Sequence, residues 1–297
     1  MKVKILFILI LCVAGSVFGQ MLDNTMGQVF EEKPFFNTEF IAKNRIRSIK
    51  GNYSTKATLD QIRPNSDIYV YDFDKEGRLI REYKTAFEDT IVVTYEYNEK
   101  NLLSLKRQSD QYGFHSYTFK YDEKGRIVEQ EYRRDSNKNS DKMNFDLDES
   151  YIITTEKFSY LDYSDSTYKK VYYNNAGFEY KTEFYYHTWD GQLTKQEGKL
   201  RNGSGNSKVR YSYDAKGRIS GKQEEVTLTK KNVSRWEYEY DEIGNLQAVK
   251  YYRNGSWITE YQIVYERQTL LLSAIITRDH ATNFMMILQF KDVDFYY

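Results

Sequence analysis

Aromatic and polar residues alternate over many short stretches of the chain, and this alternation is the clearest structural signal in the sequence. Tyr117, Phe119 and Tyr121 share one set of positions, while the positions between them are polar. A period of two predicts a β-strand that covers one face and leaves the other in solvent. The same pattern recurs at residues 69–73, 91–97 and 235–240. The chain is therefore predicted to be all-β.

Each aromatic stretch runs into a turn of similar chemistry. Asp122 can accept backbone N–H bonds at the start of such a turn, and Gly125 tolerates a positive φ at its end. Arg126 and Ile127 then open the returning strand. The aromatic residue before the turn recurs, in most cases about 25 residues further on, at Phe73, Tyr97, Tyr121, Tyr173, Tyr213, Tyr240 and Tyr265. This period predicts repeated antiparallel β-hairpins.

The segments on either side of the repeats lack this pattern and are predicted to be caps. Residues 20–66 include a short predicted helix near residues 37–44, with Asn37 or Thr38 as its N-cap. Residues 268–297 include the most apolar stretches of the mature chain. Open ends of a repeat array need to be covered, so both segments are expected to close them. The predicted organisation is a signal peptide at 1–19, an N-terminal cap at 20–66, hairpin repeats at 67–267 and a C-terminal cap at 268–297.

The recurring motif resembles the YD repeat, also called the RHS repeat, of bacterial surface and toxin proteins. Its clearest copies are Tyr71–Leu79, Phe119–Ile127, Tyr211–Ile219 and Tyr238–Leu246. The resemblance covers roughly two-thirds of the chain and implies hairpins joined edge to edge into an extended, coiling β-sheet with short N- and C-terminal caps. Large family members form a closed shell around a toxin, and the repeat has been linked to carbohydrate binding. This chain has too few repeats for such a shell, so the toxin role is not inferred.

The N-terminus predicts export from a bacterial cell. A basic start precedes an apolar run, Ile5–Ala14, that is too short to span a bilayer as a helix. Val17 and Gly19 occupy the two positions that signal peptidase reads, so the mature chain is predicted to begin at Gln20. An N-terminal anchor that is never cleaved is the alternative. The expected location is the periplasm, the outer-membrane surface or the extracellular space.

Composition excludes several classes of function. The single cysteine, Cys12, lies in the signal segment, so the mature chain has no disulfide and no cysteine metal ligand. Lys and Arg together number 43, as do Asp and Glu, and this balance disfavours capture of nucleic acid. No second apolar stretch approaches the roughly 20 residues of a membrane helix, so no transmembrane helix is predicted in the mature chain.

The aromatic face offers the candidate ligand site. Trp189, Trp236, Tyr238 and Trp257 would provide flat faces for sugar rings if that face were exposed. The competing interpretation is that these residues pack between neighbouring repeats as cross-strand aromatic pairs. The predicted partner is a glycan or an envelope protein.

Catalytic and metal constellations are not indicated by the sequence. The three histidines, His115, His187 and His280, lack metal-ligand spacing. The chain contains neither a nucleophile motif nor a phosphate-binding glycine motif. An oxygen-rich stretch at residues 135–141 is similar to a calcium loop, but Ser140 stands where glycine is required. No enzyme activity, cofactor or metal is therefore predicted.

The favoured function is a secreted or cell-envelope repeat scaffold that binds a polymer, such as a carbohydrate, or a protein partner. One alternative is a glycan-acting enzyme on a repeat scaffold. The other is an outer-membrane β-barrel protein, indicated by alternating strands, tight turns and the aromatic terminus Phe295-Tyr296-Tyr297. Charged residues make up 29% of the chain, and this density disfavours the membrane barrel.

Overall fold

The computed structural model describes residues 20–31, 34–86 and 89–297. The predicted signal peptide therefore lies outside the described residues. Helix α1 spans Thr38–Lys43 and is followed by strands alone. The strands are β1 Ile46–Lys56, β2 Arg63–Phe73, β3 Leu79–Ala86, β4 Asp89–Tyr97, β5 Leu103–Ser109, β6 Gly113–Tyr121, β7 Ile127–Asn137, β8 Leu147–Ser164, β9 Thr167–Tyr173, β10 Glu179–His187, β11 Leu193–Leu200, β12 Asn206–Tyr213, β13 Ile219–Thr227, β14 Lys231–Tyr240, β15 Leu246–Arg253, β16 Ser256–Tyr265, β17 Leu272–Asp279 and β18 Met285–Phe295.

Helix α1 is the helix predicted near residues 37–44. The Asn37 side chain accepts hydrogen bonds from the backbone N–H groups of Glu39 and Phe40, so Asn37 is the N-cap. Ile41 is fully buried and anchors the helix to the rest of the fold. The helix is short, and its stability comes from this packing because isolated helices of such length are marginal in water.

The strands form one closed antiparallel ring. Each strand pairs with the next along the chain, as β2 does with β3 and β9 with β10. The last strand, β18, pairs with β1 through partners such as Lys50 with Asp292 and Tyr53 with Leu288. The other edge of β1 pairs with β2, so the 18-stranded sheet has no free edge.

The closed ring corrects the predicted architecture. The all-β fold of antiparallel hairpins is confirmed, whereas the extended, coiling sheet is wrong because the chain closes into an 18-stranded barrel. The segments expected to be caps contribute the strands β1, β17 and β18 to the wall. Closure satisfies the backbone groups that two open edges would leave unpaired, which is the physical reason that it is favoured.

The aromatic faces of the strands point into the barrel. Tyr69, Tyr71 and Phe73 of β2 are buried in the core, while Asp72 between them forms an ion pair with Arg81 on the other face. The two faces thus differ in chemistry. On β2 the lumen face is largely aromatic, and the outer face of β2 and β3 carries an ion pair.

The N-terminal segment fills part of the lumen, and we call residues 20–31 and 34–37 the plug. The backbone carbonyl of Gly27 accepts a hydrogen bond of 2.6 Å from the Tyr238 hydroxyl of β14. Elsewhere on the wall, the Phe36 ring makes T-shaped contacts with Tyr71 and Phe73 of β2, with ring centroids 4.8 and 5.0 Å apart. The plug therefore joins distant parts of the barrel wall through its interior.

The recurring motif has a structural role that accounts for its repetition. At five of its seven aromatic positions, and also at Tyr160 and Tyr296, a tyrosine hydroxyl of one hairpin donates a hydrogen bond to a backbone carbonyl of a neighbouring hairpin. The pairs are Tyr97 to Leu79, Tyr121 to Leu103, Tyr160 to Ile127, Tyr213 to Leu193, Tyr240 to Ile219, Tyr265 to Leu246 and Tyr296 to Phe73. These bonds join adjacent hairpins at one end of the barrel.

The charged residues of the motif brace the same turns. Arg126 donates a hydrogen bond of 2.8 Å to Asp122, and its guanidinium lies 4.2 Å from the ring centre of Tyr160 in the next hairpin. Arg218 makes the equivalent contacts with Asp214 and Tyr240. The motif is therefore hairpin-joining chemistry in this fold.

We expect the aspartates of these turns to make the protein sensitive to acid. Burial alone would raise the pKa of the Asp122 and Asp214 carboxyls, but hydrogen bonds from Arg126 and Arg218 outweigh it and lower both pKa values. A carboxyl with a lowered folded-state pKa stabilises the fold above its unfolded pKa of about 3.9, and this stabilisation is lost as pH falls through the folded value. Each is expected to contribute roughly 0.5–1 kcal/mol, because solvent screens both pairs.

Denaturant titrations of the wild type and of the D122N/D214N double variant measure this effect. The variant is expected to be less stable at neutral pH and to lose less stability than the wild type between about pH 5 and about pH 2. Parallel stability curves over that range would contradict the prediction.

Candidate functional site in the barrel lumen

A cavity of about 500 Å³ lies in the lumen beside the plug. Strands β2 to β7 supply most of its lining, and Glu31 of the plug also contributes. The apolar part of the lining consists of Ile91, Val93, Leu103, Phe119 and Ile127. The polar part includes Glu82, Lys84, Lys106 and Gln108. The cavity is thus amphipathic, with an apolar surface and several charged groups.

Strand register explains why these polar side chains face inward. Glu82 of β3 lies opposite Val93 of β4, and Val93 in turn lies opposite Gln108 of β5. Lys106 lies opposite Tyr95 in the same pair of strands. Directly opposed residues share a face of an antiparallel sheet, so these polar groups interrupt the aromatic lining of the lumen.

Glu82 is a buried carboxylate held by two tyrosines. Its side chain is almost fully buried, and the Tyr69 hydroxyl donates to Oε2 at 2.6 Å. The Tyr95 hydroxyl donates to Oε1. Burial is the main cause that raises the pKa of both tyrosines, so both stay protonated as donors. The negative charge of Glu82 is therefore stabilised by the barrel wall itself.

The lysines of the cavity differ from Glu82 in this respect. Lys84 and Lys106 are half-buried, and neither ammonium group has a hydrogen-bond or ion-pair partner among the residues that the structure describes. By contrast, Lys222 on another part of the lumen wall forms an ion pair of 2.6 Å with Glu31 of the plug. The cavity thus has two cationic groups that are available to a ligand.

A second polar cluster lies on the lumen face of β9 and β10, and its carboxylate is already bonded. Glu183 forms an ion pair of 2.6 Å with Lys181 and accepts hydrogen bonds from the hydroxyls of Tyr172 and Tyr185. Lys170 lies over neighbouring rings, with its Nζ atom 4.0 Å from the ring centre of Phe158. These contacts explain the cluster as internal packing of the wall.

The outer face of the barrel is charged along the strands. Arg235, 47% exposed at its side chain, forms an ion pair of 2.9 Å with Glu237 on β14. Glu239 of the same strand pairs with Lys250 of β15. Strands that cross a bilayer carry the opposite arrangement, with apolar residues outside and polar residues inside. On β14 the alternation points the other way, with Trp236, Tyr238 and Tyr240 inside and Arg235, Glu237 and Glu239 outside.

Tertiary structure does not bring the four predicted ligand residues together. Trp236 and Tyr238 face the lumen, where Lys222 lies 4.4 Å from the Trp236 ring centre and Tyr238 is 4% exposed. Trp257 lies on the outer face and stacks on His280. Trp189 is 96% exposed at the turn after β10. The packing interpretation accounts for Trp236 and Tyr238, and the other two residues lie on separate surfaces.

The cavity lysines and Glu82 were not identified from the sequence. Both faces of β3 carry charged residues, Arg81 on one and Glu82 with Lys84 on the other. The alternation of charge therefore does not reveal which face is inside. Only the pairing of β3 with the aromatic strand β2 settles it.

Two carboxylates of the calcium-like stretch have other partners. Asp135 accepts hydrogen bonds from Ser116 and Ser150 and forms an ion pair of 3.3 Å with Arg107. Asp141 accepts hydrogen bonds from the backbone N–H groups of the residues that follow it. Within residues 20–31, 34–86 and 89–297, no group of three or more His, Cys, Asp or Glu side chains is placed to hold a metal ion.

No helix in the described part of the chain is long and apolar enough to cross a membrane.

We expect Trp236, which faces the lumen, to contribute much more to stability than Trp189, which lies in an exposed turn. Trp236→Ala removes a ring that packs 5.1 Å from Tyr251 and is expected to cost about 2–4 kcal/mol of unfolding free energy. Trp189→Ala is the matched control and is expected to change that free energy by less than about 0.5 kcal/mol, because its ring is in solvent. Chemical denaturation of both variants checks this difference, and equal losses would refute it.

Comparison with known proteins gives structural likenesses of low identity. No protein-family model matches the sequence, and no curated protein matches it significantly. A porin-like protein from Bacteroides vulgatus is 13% identical, with a TM-score of 0.37, and the alignment covers 81% of this chain and 96% of that one. A porin-like protein from Bacteroides uniformis is 12% identical, with a TM-score of 0.35 and coverage of 84% and 97%. A TcdB2-TccC3-TEV structure is 12% identical, with a TM-score of 0.26 and coverage of 79% and 15%.

These findings correct the family assignment made from the motif. The assignment to the YD or RHS repeat was wrong, because the hairpins close into an 18-stranded barrel and no protein-family model matches the sequence. The description of the chain as a YD-repeat or RHS-repeat protein falls with it. Of the interpretations drawn from the sequence, the β-barrel is the one whose closed sheet the structure shows.

Proposed function

We propose that the protein is an exported β-barrel of the bacterial cell envelope whose plugged lumen binds a small ligand. The observation that carries this proposal is the amphipathic cavity beside the plug, with two lysines that lack partners among the described side chains. Concave sites of about 300–1,000 Å³ that combine apolar surface with a few polar groups are typical of small-molecule binding.

Closure of the sheet favours a small ligand in the lumen over a polymer bound along an open sheet. On an extended sheet the aromatic face would be a surface along which a polymer could lie. In the barrel that face is turned inward, and the plug occupies part of the space. A ligand of the lumen must therefore be small enough to enter beside the plug.

An outer-membrane barrel that spans the bilayer is the second candidate. The closed ring favours it, because every strand edge is paired as hydrocarbon requires. The charged exterior opposes it, since each Arg or Lys that faces lipid at the midplane costs about 2–4 kcal/mol. We therefore place the barrel in the periplasm or at a membrane surface.

Cell fractionation and conductance separate the two placements. The full chain with its N-terminal segment is expressed in a bacterial host, and the envelope fractions are washed with salt and alkali before detergent. The proposal expects release of a folded barrel without detergent and no stepwise conductance in planar bilayers. Extraction by detergent alone, together with discrete conductance steps, would support the spanning barrel instead.

Ligand occupancy is tested directly on the same preparation. Native mass spectrometry of the released protein is expected to show a bound small molecule, or binding on addition of candidate compounds. A folded barrel that binds no compound in such a screen would contradict the lumen as a binding site.

A further inference from the structure

Building on the proposed function, we infer that the lumen cavity binds an anionic amphiphile, meaning a molecule with an acyl chain and a carboxylate or phosphate head. The inference rests on three properties of the cavity: its apolar lining, the pairing of its acids and the lack of pairing of its lysines. Each points to a different part of the ligand.

The apolar lining suits an acyl chain. Val93, Leu103 and Ile127 present branched aliphatic groups to a space of about 500 Å³. Each CH₂ group moved from water into such surroundings contributes about 0.8 kcal/mol. A chain of many such groups is held strongly without any directional contact.

The acids of the cavity are already supplied with donors. The two oxygens of Glu82 accept hydrogen bonds from the Tyr69 and Tyr95 hydroxyls, and Glu31 pairs with Lys222 at 2.6 Å. A cationic ligand would compete with these bonds. The cavity is therefore poorly suited to a positive head group.

The lysines complete the charge argument. Lys84 and Lys106 line the same space, and within the described residues their ammonium groups meet no acceptor. A ligand that enters the cavity removes water from both half-buried ammonium groups, and this desolvation cost falls when the ligand supplies an anionic counter-charge. A carboxylate or phosphate head would form charge-assisted hydrogen bonds to one or both lysines. A neutral polar head would leave both charges uncompensated.

Competition binding on the full mature barrel tests the inference. Palmitate, its uncharged analogue hexadecanol and 1-palmitoyl lysophosphatidic acid, a phosphatidic acid with one acyl chain that suits the size of the cavity, are each used to displace a fluorescent fatty acid from the protein. Palmitate or phosphatidic acid is expected to bind at least about tenfold more tightly than hexadecanol. This ratio corresponds to the free energy of one charge-assisted hydrogen bond, which hexadecanol cannot form. Preference for palmitate assigns the free fatty acid, and preference for phosphatidic acid assigns the phospholipid.

Lysine variants locate the head group. K84Q, K106Q and the double variant remove the charges and keep polar side chains of similar length. The double variant is expected to bind palmitate or phosphatidic acid at least about tenfold more weakly, with hexadecanol unaffected. K157Q is the matched control, since Lys157 is 65% exposed on the outer face and pairs with Glu129. The single variants keep the test intact if the double variant does not fold.

Two results would overturn the inference. One is equal affinity for palmitate and hexadecanol, and the other is unchanged binding of the anions by K84Q/K106Q with its fold intact. If no amphiphile binds but native mass spectrometry shows another small molecule in the lumen, the inference fails and the proposed function stands. If the barrel conducts as an open pore and binds nothing, both fail.

Discussion

Gly77→Ala is expected to destabilise the barrel by about 3–5 kcal/mol, one of the largest effects of any single substitution in this chain. Gly77 ends the turn between β2 and β3 with φ +81°, a backbone conformation that costs other residues about 1–2 kcal/mol. A Cβ atom at this position would lie 2.1 Å from the backbone carbonyl oxygen of Thr38 and 2.7 Å from the backbone nitrogen of Ala42. Because both atoms belong to helix α1, the helix would have to move away from the barrel.

Gly177→Ala provides a matched control for that prediction. Gly177 ends an equivalent turn with φ +77°, but no atom lies within 4 Å of the position its Cβ would take. Gly177→Ala is expected to lower the unfolding free energy by about 1–2 kcal/mol, which is the cost of the positive φ alone. Unfolding free energies from urea titration compare the two variants. Similar losses would show that α1 does not rest on the β2–β3 turn in solution.

Phe36→Ala is expected to cost about 3–5 kcal/mol of unfolding free energy, because it leaves a cavity between the plug and the barrel wall. The Phe36 side chain is 5% exposed and contacts the rings of Phe35, Tyr71 and Phe73. The plug should also become more accessible to protease, since its aromatic anchor in the lumen is lost. Denaturant titration and limited proteolysis measure the two effects.

Phe178→Ala is the control for the plug. Phe178 is 69% exposed in the turn after β9, so its removal is expected to change stability by less than about 0.5 kcal/mol. If Phe36→Ala proved as mild as Phe178→Ala, the plug would not be seated against β2. The lumen would then be larger than the structure shows, and the cavity beside the plug would have to be reconsidered.

The hairpins themselves were predictable because their determinants are local. An aromatic alternation marks each strand, and turns such as Asp122 to Gly125 use residues with known turn chemistry. The helix cap at Asn37 follows from the same kind of short-range hydrogen bonding. These features depend on residues a few positions apart, so the sequence alone is sufficient to predict them.

The candidate site was not predictable because its residues come together only through the pairing of different strands. Lys84 and Lys106 belong to different hairpins, and each lies in a strand whose charged residues occur on both faces. Their shared cavity exists only because β3, β4 and β5 pair in one register. The tryptophans drew attention instead, since a large aromatic residue is conspicuous in sequence whether it packs or binds.

The sequence by itself determined the all-β class, the hairpins, the turn chemistry and the short helix, because each arises from contacts between near neighbours. Tertiary structure alone decided that β18 would meet β1, that the aromatic faces would line a lumen and that the plug would enter it. Closure depends on the twist and stagger accumulated over 18 strands, and no single repeat contains that information.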